Sequence, residues 1–594
     1  MEPESPHSTT EPSGMKAPRA LVRQARTGNL LFFEGLESVI HAHTAREVLP
    51  ALQQVIQQVE RKGLFAAGFV SYEAAPAFDP YLKVRPDDSG FPLLWFGLFS
   101  WMQETELPGT VSQAGLQGLD WEPSITPREY SRALDRIREH IRTGDTYQVN
   151  FTYRLRASCF LDPLDVFSTI CRSQDPPYAA FIDTGEFALC SFSPEMFFTL
   201  QGQTLRSRPM KGTAARGLEN IQDRQAAREL KNSEKDRAEN VMIVDMVRND
   251  MGRIAHPGSV NVPQLFSMEK YFDVWQMTSL VQCSTSAPLD EIFKALFPPA
   301  SITGAPKIKT TEIIAELETA PRRIYTGTMG YIAPGRQAQF NVAIRTLLLD
   351  KTRNLAEYGI GGGIVWDSRT DMEMSESRIK ARVLATPGPG FDLLESLLWE
   401  PEQGFPYFRR HLKRLQESAE YFDFPLDLSR VHSELQNLTS TLPQEPHKIR
   451  LLVSRSGAVK AQAIKLDTKK PGFADLPLAA SPVDPANRFL YHKTTNREIY
   501  NQALRARPGY QDVLLYNHRS QITESTIANI ALEKNGELLT PPVSCGLLPG
   551  VYRSLMLEQG VIRESVLSIK DVLDNPRVFL MNGVRGMHPV NIIA

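Results

Sequence analysis

The sequence predicts a mixed α/β protein with two principal domains, and three features lead to that reading. Short apolar segments of strand character alternate with stretches of helical periodicity. At 594 residues the chain is too long for one hydrophobic core. A Pro/Gly run then divides it well past its midpoint.

Residues 1–18 are rich in Pro, Ser, Thr and Glu and almost lack large apolar side chains, so they are expected to form a disordered tail. Phe187-Ala-Leu-Cys-Ser-Phe192 and Gly330-Tyr-Ile332 read as strands, and 228–247 and 308–317 as helices. Ala385-Thr-Pro-Gly-Pro-Gly390 excludes both helix and central strand, because proline lacks the backbone donor. A linker is therefore predicted at 385–390, between domains at 19–384 and 391–594. Beyond it, a helix at 411–422 precedes strands Lys448-Ile-Arg-Leu-Leu-Val453 and Asp512-Val-Leu-Leu-Tyr516.

Composition narrows the class. Apolar content of 42% with 66 basic and 68 acidic side chains describes a soluble protein with no implied nucleic-acid partner. Cys159, Cys171, Cys190, Cys283 and Cys545 show neither paired nor zinc-type spacing, which fits reduced thiols in the cytoplasm. No run approaches the ~18 apolar residues of a membrane helix, and the start has no signal-peptide segment.

Two carboxylate pairs, Asp236 with Glu239 and Glu373 with Glu376, are spaced i, i+3 in segments of helical character, so each pair shares a helix face. Such pairs are usually solvated. Here Asp236 and Glu239 lead into the apolar Val241-Met-Ile-Val-Asp-Met-Val247, so a buried helix is expected where the acids sit. Buried acids need a partner or a metal, and magnesium takes carboxylates together with substrate oxygens.

At this point the chain resembles the chorismate-utilising enzymes, which include anthranilate, isochorismate, salicylate and aminodeoxychorismate synthases. The resemblance rests on Gly144-Asp-Thr-Tyr-Gln-Val-Asn150, Ser193-Pro-Glu195, Met210-Lys-Gly-Thr-Ala-Ala-Arg-Gly217, Lys235-Asp-Arg-Ala-Glu-Asn240 with Arg248-Asn-Asp250, Ser301-Ile-Thr-Gly-Ala-Pro-Lys307, Ala343-Ile-Arg-Thr346 and Gly359-Ile-Gly-Gly-Gly-Ile364. It implies a two-lobed fold. It also implies that Glu239 and Glu376 hold magnesium, with Asp236 and Glu373 behind them, and that the ion clamps the ring carboxylate of chorismate. Arg345 would take the enolpyruvyl carboxylate together with backbone N–H groups of a turn at Gly361, Gly362 and Gly363. Thr303 and Gly304 belong to the same expected substrate pocket.

Position 211 separates the branches. Anthranilate and isochorismate synthases have alanine there, whereas aminodeoxychorismate synthases carry lysine as a covalent nucleophile, and this chain has Lys211. Gln148 stands where isochorismate synthases place a water-activating lysine. The resemblance implies that Lys211 adds to C2 of chorismate while Glu195 protonates the departing C4 hydroxyl, after which ammonia enters at C4. Lys211 must be unprotonated and Glu195 protonated, so shifted pKa values are expected at both. Gln276 stands where anthranilate synthases have a histidine.

The second domain resembles the fold-type-IV pyridoxal phosphate enzymes through Phe391-Asp-Leu-Leu-Glu-Ser396, His411-Leu-Lys-Arg-Leu415, Tyr491-His-Lys-Thr-Thr-Asn496, Thr523-Glu-Ser-Thr-Ile-Ala-Asn529 and Gly546-Leu-Leu-Pro-Gly-Val-Tyr-Arg553. It implies that Lys493 binds the cofactor covalently and Glu524 pairs with its pyridine nitrogen. Arg414, with backbone N–H groups near Thr526 and Val551, would hold the phosphate. Fusion to a domain that makes aminodeoxychorismate favours lyase chemistry, so the implied sequence is chorismate to 4-amino-4-deoxychorismate to 4-aminobenzoate, a folate precursor. A fragment of 391–594 is expected to carry the whole second site. The competing reading is an anthranilate synthase component I-like domain fused to a small amino-acid aminotransferase. No cysteine lies in a glutaminase nucleophile setting, so ammonia is expected from a separate glutamine amidotransferase subunit. The resemblance also admits a homodimer through the second domain.

Overall fold

Long runs of buried β-forming residues build the first of two units. The computed structural model describes residues 19–108, 116, 119–385, 390–466, 474–575 and 577–593. The expected tail at 1–18 and residues 386–389 of the expected linker lie outside them. Unit one comprises Met1–Ala214 and Glu229–Pro389; unit two comprises Ala215–Arg228 and Gly390–Ala594. The second unit thus takes in a stretch that the sequence boundary leaves with the first domain.

Among the described residues of unit one, eighteen strands form one hydrogen-bonded sheet system. The antiparallel pair Tyr178–Asp183 and Phe187–Ser193 is buried along almost its whole length, as expected for strands covered on both faces. The strand Gln148–Ser158 pairs with Leu355–Ile364, setting Gly361 opposite Thr152 and Gly363 opposite Asn150. Gly361, Gly362 and Gly363 therefore lie in a strand, not in the expected turn. The glycines serve close approach: a Cβ on Gly361 would fall 2.2 Å from the Phe151 carbonyl oxygen.

The single helix expected at 228–247 is two helices, Asn220–Asn232 and Glu234–Gly252. Ser233 breaks the run by accepting the Asp236 amide as an N-cap. Asn240, Ile243, Val244, Val247 and Met251 form the buried face at helical spacing. Burial begins only at Asn240, so Asp236 and Glu239 are half-buried in the first turns rather than enclosed. Glu373 and Glu376 lie on the helix Thr370–Ala385.

A buried ionic cluster ties this unit together. Glu318 accepts from Arg322 Nη2 at 2.7 Å and Nε at 3.0 Å, and from the amide and hydroxyl of Thr152 at 2.9 and 2.8 Å, with Arg154 beside it. Glu318→Ala would leave two buried guanidinium groups without their anion, an expected loss of about 3–5 kcal/mol. Denaturant unfolding of the full chain measures it. A loss below about 1 kcal/mol, the scale of an exposed pair, would contradict this account.

Unit two has a three-stranded sheet, Leu393–Trp399, His447–Val453 and Val459–Lys465, packed against the helices Phe408–Phe422 and Leu428–Thr439. In His447–Val453 burial alternates, so Ile449, Leu451 and Val453 enter the core while Lys448 and Arg450 take the other face. A second, eight-stranded sheet spans 474–593. Its strand expected at 512–516 is only Leu514–Tyr516, because Asp512 is occupied as an acceptor for Val513 and Thr526 amides. Among the described residues no helix is long and apolar enough to cross a membrane.

Candidate functional site

In unit one, the strand Met210–Ala215 carries Lys211, and Asn240 Nδ2 donates to the Lys211 carbonyl at 3.4 Å. Lys211 points toward the glycine strand. A Cβ on Gly363 would meet Lys211 Nζ at 2.6 Å and Gln148 Nε2 at 2.4 Å, and one on Gly362 would lie 3.4 Å from both Glu373 Oε2 and Lys380 Nζ. Glycine at these positions leaves space where these groups converge. Gln148 is fully buried, and neither polar atom of its amide has a partner among the described residues. An unpaired buried amide costs free energy, so this point of unit one carries unused hydrogen-bonding capacity.

Burial lowers the Lys211 ammonium from its ordinary value, with Glu239 opposing and Lys380 reinforcing the shift. Glu195 is 3% exposed, and burial pushes it up to about 7 against the Ser301 hydroxyl, which donates at 2.6 Å, and the charge of Lys211. The pair is thus biased toward a neutral amine and a protonated acid. Backbone bonds join the two segments that carry Glu195 and Arg345: the Val342 amide donates to the Glu195 carbonyl, and the Phe192 amide donates to the carbonyl of Arg345. Its φ of 49° is left-handed, a strain of about 1–3 kcal/mol that the fold holds at this residue. Thr303 is buried with its hydroxyl turned back on the Pro299 and Ala300 carbonyls, and Gly304 packs on the Gln148 carbonyl. Gln276 accepts from Thr213.

The carboxylates do not form a finished cage: among the described residues no three acidic, His or Cys groups converge as a ready metal centre. Glu239 and Glu376 both act electrostatically on Lys211, while Lys380 pairs with Glu376 at 2.8 Å and donates to the Gly361 carbonyl at 2.8 Å. Asp236 is held back by Ser233 and packs on Gly212. Separate oxygen donors of this kind fit a hard divalent ion that takes its remaining ligands from water and substrate. Lys380, the cation now facing Glu376, carried no sequence signal beyond its i+4 spacing.

In unit two, a cavity of about 890 Å³ is lined by Arg414, Lys493, Glu524, Thr526 and Val551, the five residues expected from the second resemblance. Burial lowers Lys493 to about 8, with Arg414 reinforcing the shift. Burial raises Glu524 to about 7; it accepts from Tyr500 Oη at 2.8 Å, the Leu548 amide at 3.2 Å and Asn529 Nδ2 at 3.2 Å. Glu395 grips the Arg414 guanidinium through Nε at 2.8 Å and Nη2 at 2.7 Å, and also meets His411 Nδ1 at 2.8 Å. Burial would raise Glu395, yet Arg414 and His411 outweigh it and hold the carboxyl well below its usual range. The remaining edge of Arg414 faces Pro549, just before the helix Val551–Glu558, whose first amides have no intrahelical acceptor. The expected Thr526 amide is different: its N–H and hydroxyl both donate to Asp512 at 2.8 and 2.6 Å. The donor set nevertheless suits a phosphorylated pyridine aldehyde, with an amine, a buried acid and an anion-binding end in one cavity.

Sequence reasoning missed the cationic wall of this cavity, formed by Lys448, Arg450, Arg497 and Arg585. The alternation of Lys448 and Arg450 along their strand was the available signal.

Residues 17–386 match the family described as chorismate binding enzyme, and residues 392–593 match amino-transferase class IV. Aminodeoxychorismate synthase component 1 of Bacillus subtilis (strain 168) is 34% identical over 355 residues, 53% of this chain and 75% of its own. The protein of that name from Escherichia coli (strain K12) is 31% identical over 375 residues, 57% of this chain and 82% of its own. Anthranilate synthase component I from Streptococcus pneumoniae TIGR4 superposes on 64% of this chain and 95% of its own with a TM-score of 0.53 at 24% identity, a likeness of fold.

Proposed function

The chain belongs to the chorismate-binding enzyme family and carries a class IV aminotransferase domain after it, and from this premise we propose that it converts chorismate to 4-aminobenzoate in two steps. The observation that carries the reading is a lysine amine, depressed by burial, set among Gln148, Gly363 and the carboxylates of unit one.

In the first step Lys211 Nζ bonds to C2 of chorismate, both ring double bonds shift along the ring toward C4, and the C4–O bond breaks, the hydroxyl leaving as water with the proton of Glu195. Ammonia then bonds to C4, the double bonds shift back and the C2–N bond breaks, which returns the Lys211 amine; a proton of the added ammonia returns to Glu195, giving 4-amino-4-deoxychorismate. Arg345 orients the enolpyruvyl carboxylate. A magnesium ion held by Glu239 and Glu376, with Asp236 and Glu373 behind them, would supply positive charge for the ring carboxylate. Ammonia would come from a separate glutamine amidotransferase subunit; in support, the relatives from Bacillus subtilis and Escherichia coli are named as one component of a synthase.

In the second step, pyridoxal phosphate bound in the unit-two cavity would supply an electron sink for loss of the C4 proton. Glu524 would pair with its pyridine nitrogen, and Arg414 with the Val551 amide would hold its phosphate. Lys493, whose amine burial lowers to about 8, would remove the C4 proton of the substrate, and pyruvate would depart as the ring becomes aromatic. The substrate bears two carboxylates, which the wall of Lys448, Arg450, Arg497 and Arg585 suits in charge.

Incubation with chorismate, magnesium, ammonium and pyridoxal phosphate should give 4-aminobenzoate and pyruvate. Formation of 2-aminobenzoate would overturn the first step. A requirement for a 2-oxo acid acceptor, with no pyruvate released, would overturn the second.

Two further outcomes follow. Glu195 acts as an acid only while protonated, so amination should fall as pH rises through about 7. Protonation of Lys211 should lower the rate on the acid side. Glu195→Gln should cost roughly 10²–10⁴-fold; a variant that keeps the wild-type rate and alkaline limb would assign the acid elsewhere. Glu239→Gln and Glu376→Gln each delete a negative donor and should raise the magnesium concentration for half-maximal amination. Unchanged magnesium dependence in both would reduce these carboxylates to surface charges.

A further inference from the structure

The second unit contains residues Ala215–Arg228, which lie within the stretch matched by the chorismate-binding family and far from 390–594 in sequence. Their attachment is buried. Arg216 Nε donates to Asp223 Oδ1 at 2.6 Å, and the Gly217 amide reaches the same oxygen at 3.0 Å. The Arg216 and Asp223 side chains are only 3% and 4% exposed. Arg216 Nη2 donates to the Tyr421 carbonyl at 2.8 Å, its guanidinium lies 4.3 Å from the Tyr421 ring centre, and Tyr421 Oη donates to the Gly217 carbonyl at 2.7 Å. Leu218 packs against a core that includes Leu490, Tyr491 and Tyr500.

Near its start this segment reaches the neighbour of Lys493. His492 is 6% exposed, its ring lies 4.2 Å from that of Tyr421, and its Nε2 meets the Leu218 carbonyl at 3.2 Å. Burial pulls the imidazole down to about 3, so the ring is neutral at ordinary pH. A carbonyl only accepts, so Nε2 carries the proton and Nδ1 is left to accept from the Ser418 hydroxyl at 3.1 Å. The segment thereby selects both the tautomer and the orientation of the residue preceding the lysine.

We propose that residues 215–228 are a positioning element of the unit-two site, acting through Tyr421 and His492 to hold Lys493 in its cavity. The role in cofactor binding rests on the pyridoxal phosphate reading; the contact to His492 does not. A second domain cut at the linker lacks this buried piece, so on this proposal the fragment 391–594 keeps the cavity lining but loses a support of His492.

The test uses the full-length protein and two variants. Arg216→Ala removes the ion pair and the stacking; Tyr421→Phe keeps the ring and deletes the hydroxyl bond to Gly217. Amide hydrogen exchange of 490–496, measured without cofactor, should quicken about tenfold or more in Arg216→Ala, the scale of one lost hydrogen bond to a charged group, and less in Tyr421→Phe. Exchange in 447–465 should not change. Added pyridoxal phosphate should bind about tenfold more weakly to Arg216→Ala, with a shifted pH midpoint for its visible absorbance. Wild-type exchange at 490–496 in both variants would overturn the proposal, and so would equal quickening in 447–465, which marks general destabilisation. If the wild-type protein develops no visible absorbance with pyridoxal phosphate, the cofactor reading fails instead, while the exchange comparison still decides whether the segment positions His492.

Discussion

Lys211→Ala is expected to abolish covalent attachment of the chorismate ring and to cut aminodeoxychorismate formation by roughly 10³-fold or more, the scale on which enzymes lose rate with a covalent nucleophile. The amine sits against Gly363 beside Gln148, and burial depresses it toward the neutral form that attack requires. Lys380 cannot replace it, because its ammonium is engaged by Glu376 and the Gly361 carbonyl. Mass analysis of the protein after incubation with chorismate and magnesium, without ammonium, measures the adduct, and product assay measures the rate. Near-wild-type amination would remove the basis for placing this chain in the amine-nucleophile branch.

Lys493→Ala is expected to lose the visible absorbance of bound pyridoxal phosphate and essentially all 4-aminobenzoate formation, while unit one continues to accumulate aminodeoxychorismate. Lys493 combines two duties that no other residue of the cavity shares in this proposal, covalent attachment of the cofactor and removal of the C4 proton. Its depression to about 8 places a useful unprotonated fraction near neutral pH. The alternative outcome, pyruvate release at the wild-type rate, would show that the proton is taken by another group.

The candidate site residues could be named from the sequence only because each lies in a short motif of a recognisable ordered set. Lys211, Glu195, Lys493 and Glu524 taken singly would read as ordinary charged residues. The helix 411–422 was legible through its periodicity, and Lys448-Ile-Arg450 through strand alternation, although the meaning of the two cations emerged only from the cavity they line. Other expectations failed where a local competitor intervened. Ser233 capped a new helix inside an apparently continuous one, and Asp512 captured the Thr526 amide expected to face a phosphate.

What the sequence determined by itself is the order of the motifs and the kinds of functional group they carry, hence the family and the two chemistries proposed. Those depend on neighbours a few residues apart. Tertiary structure alone decided that Lys380 reaches the Gly361 carbonyl on the glycine strand, that Glu395 braces Arg414, that Tyr500 and the Leu548 amide donate to Glu524, and that residues 215–228 pack with a domain beginning far downstream. The bond from His492 to the Leu218 carbonyl spans 274 residues. Such pairings arise when apolar faces close over one another and buried polar groups must find whatever partners that closure supplies, and no local pattern encodes them.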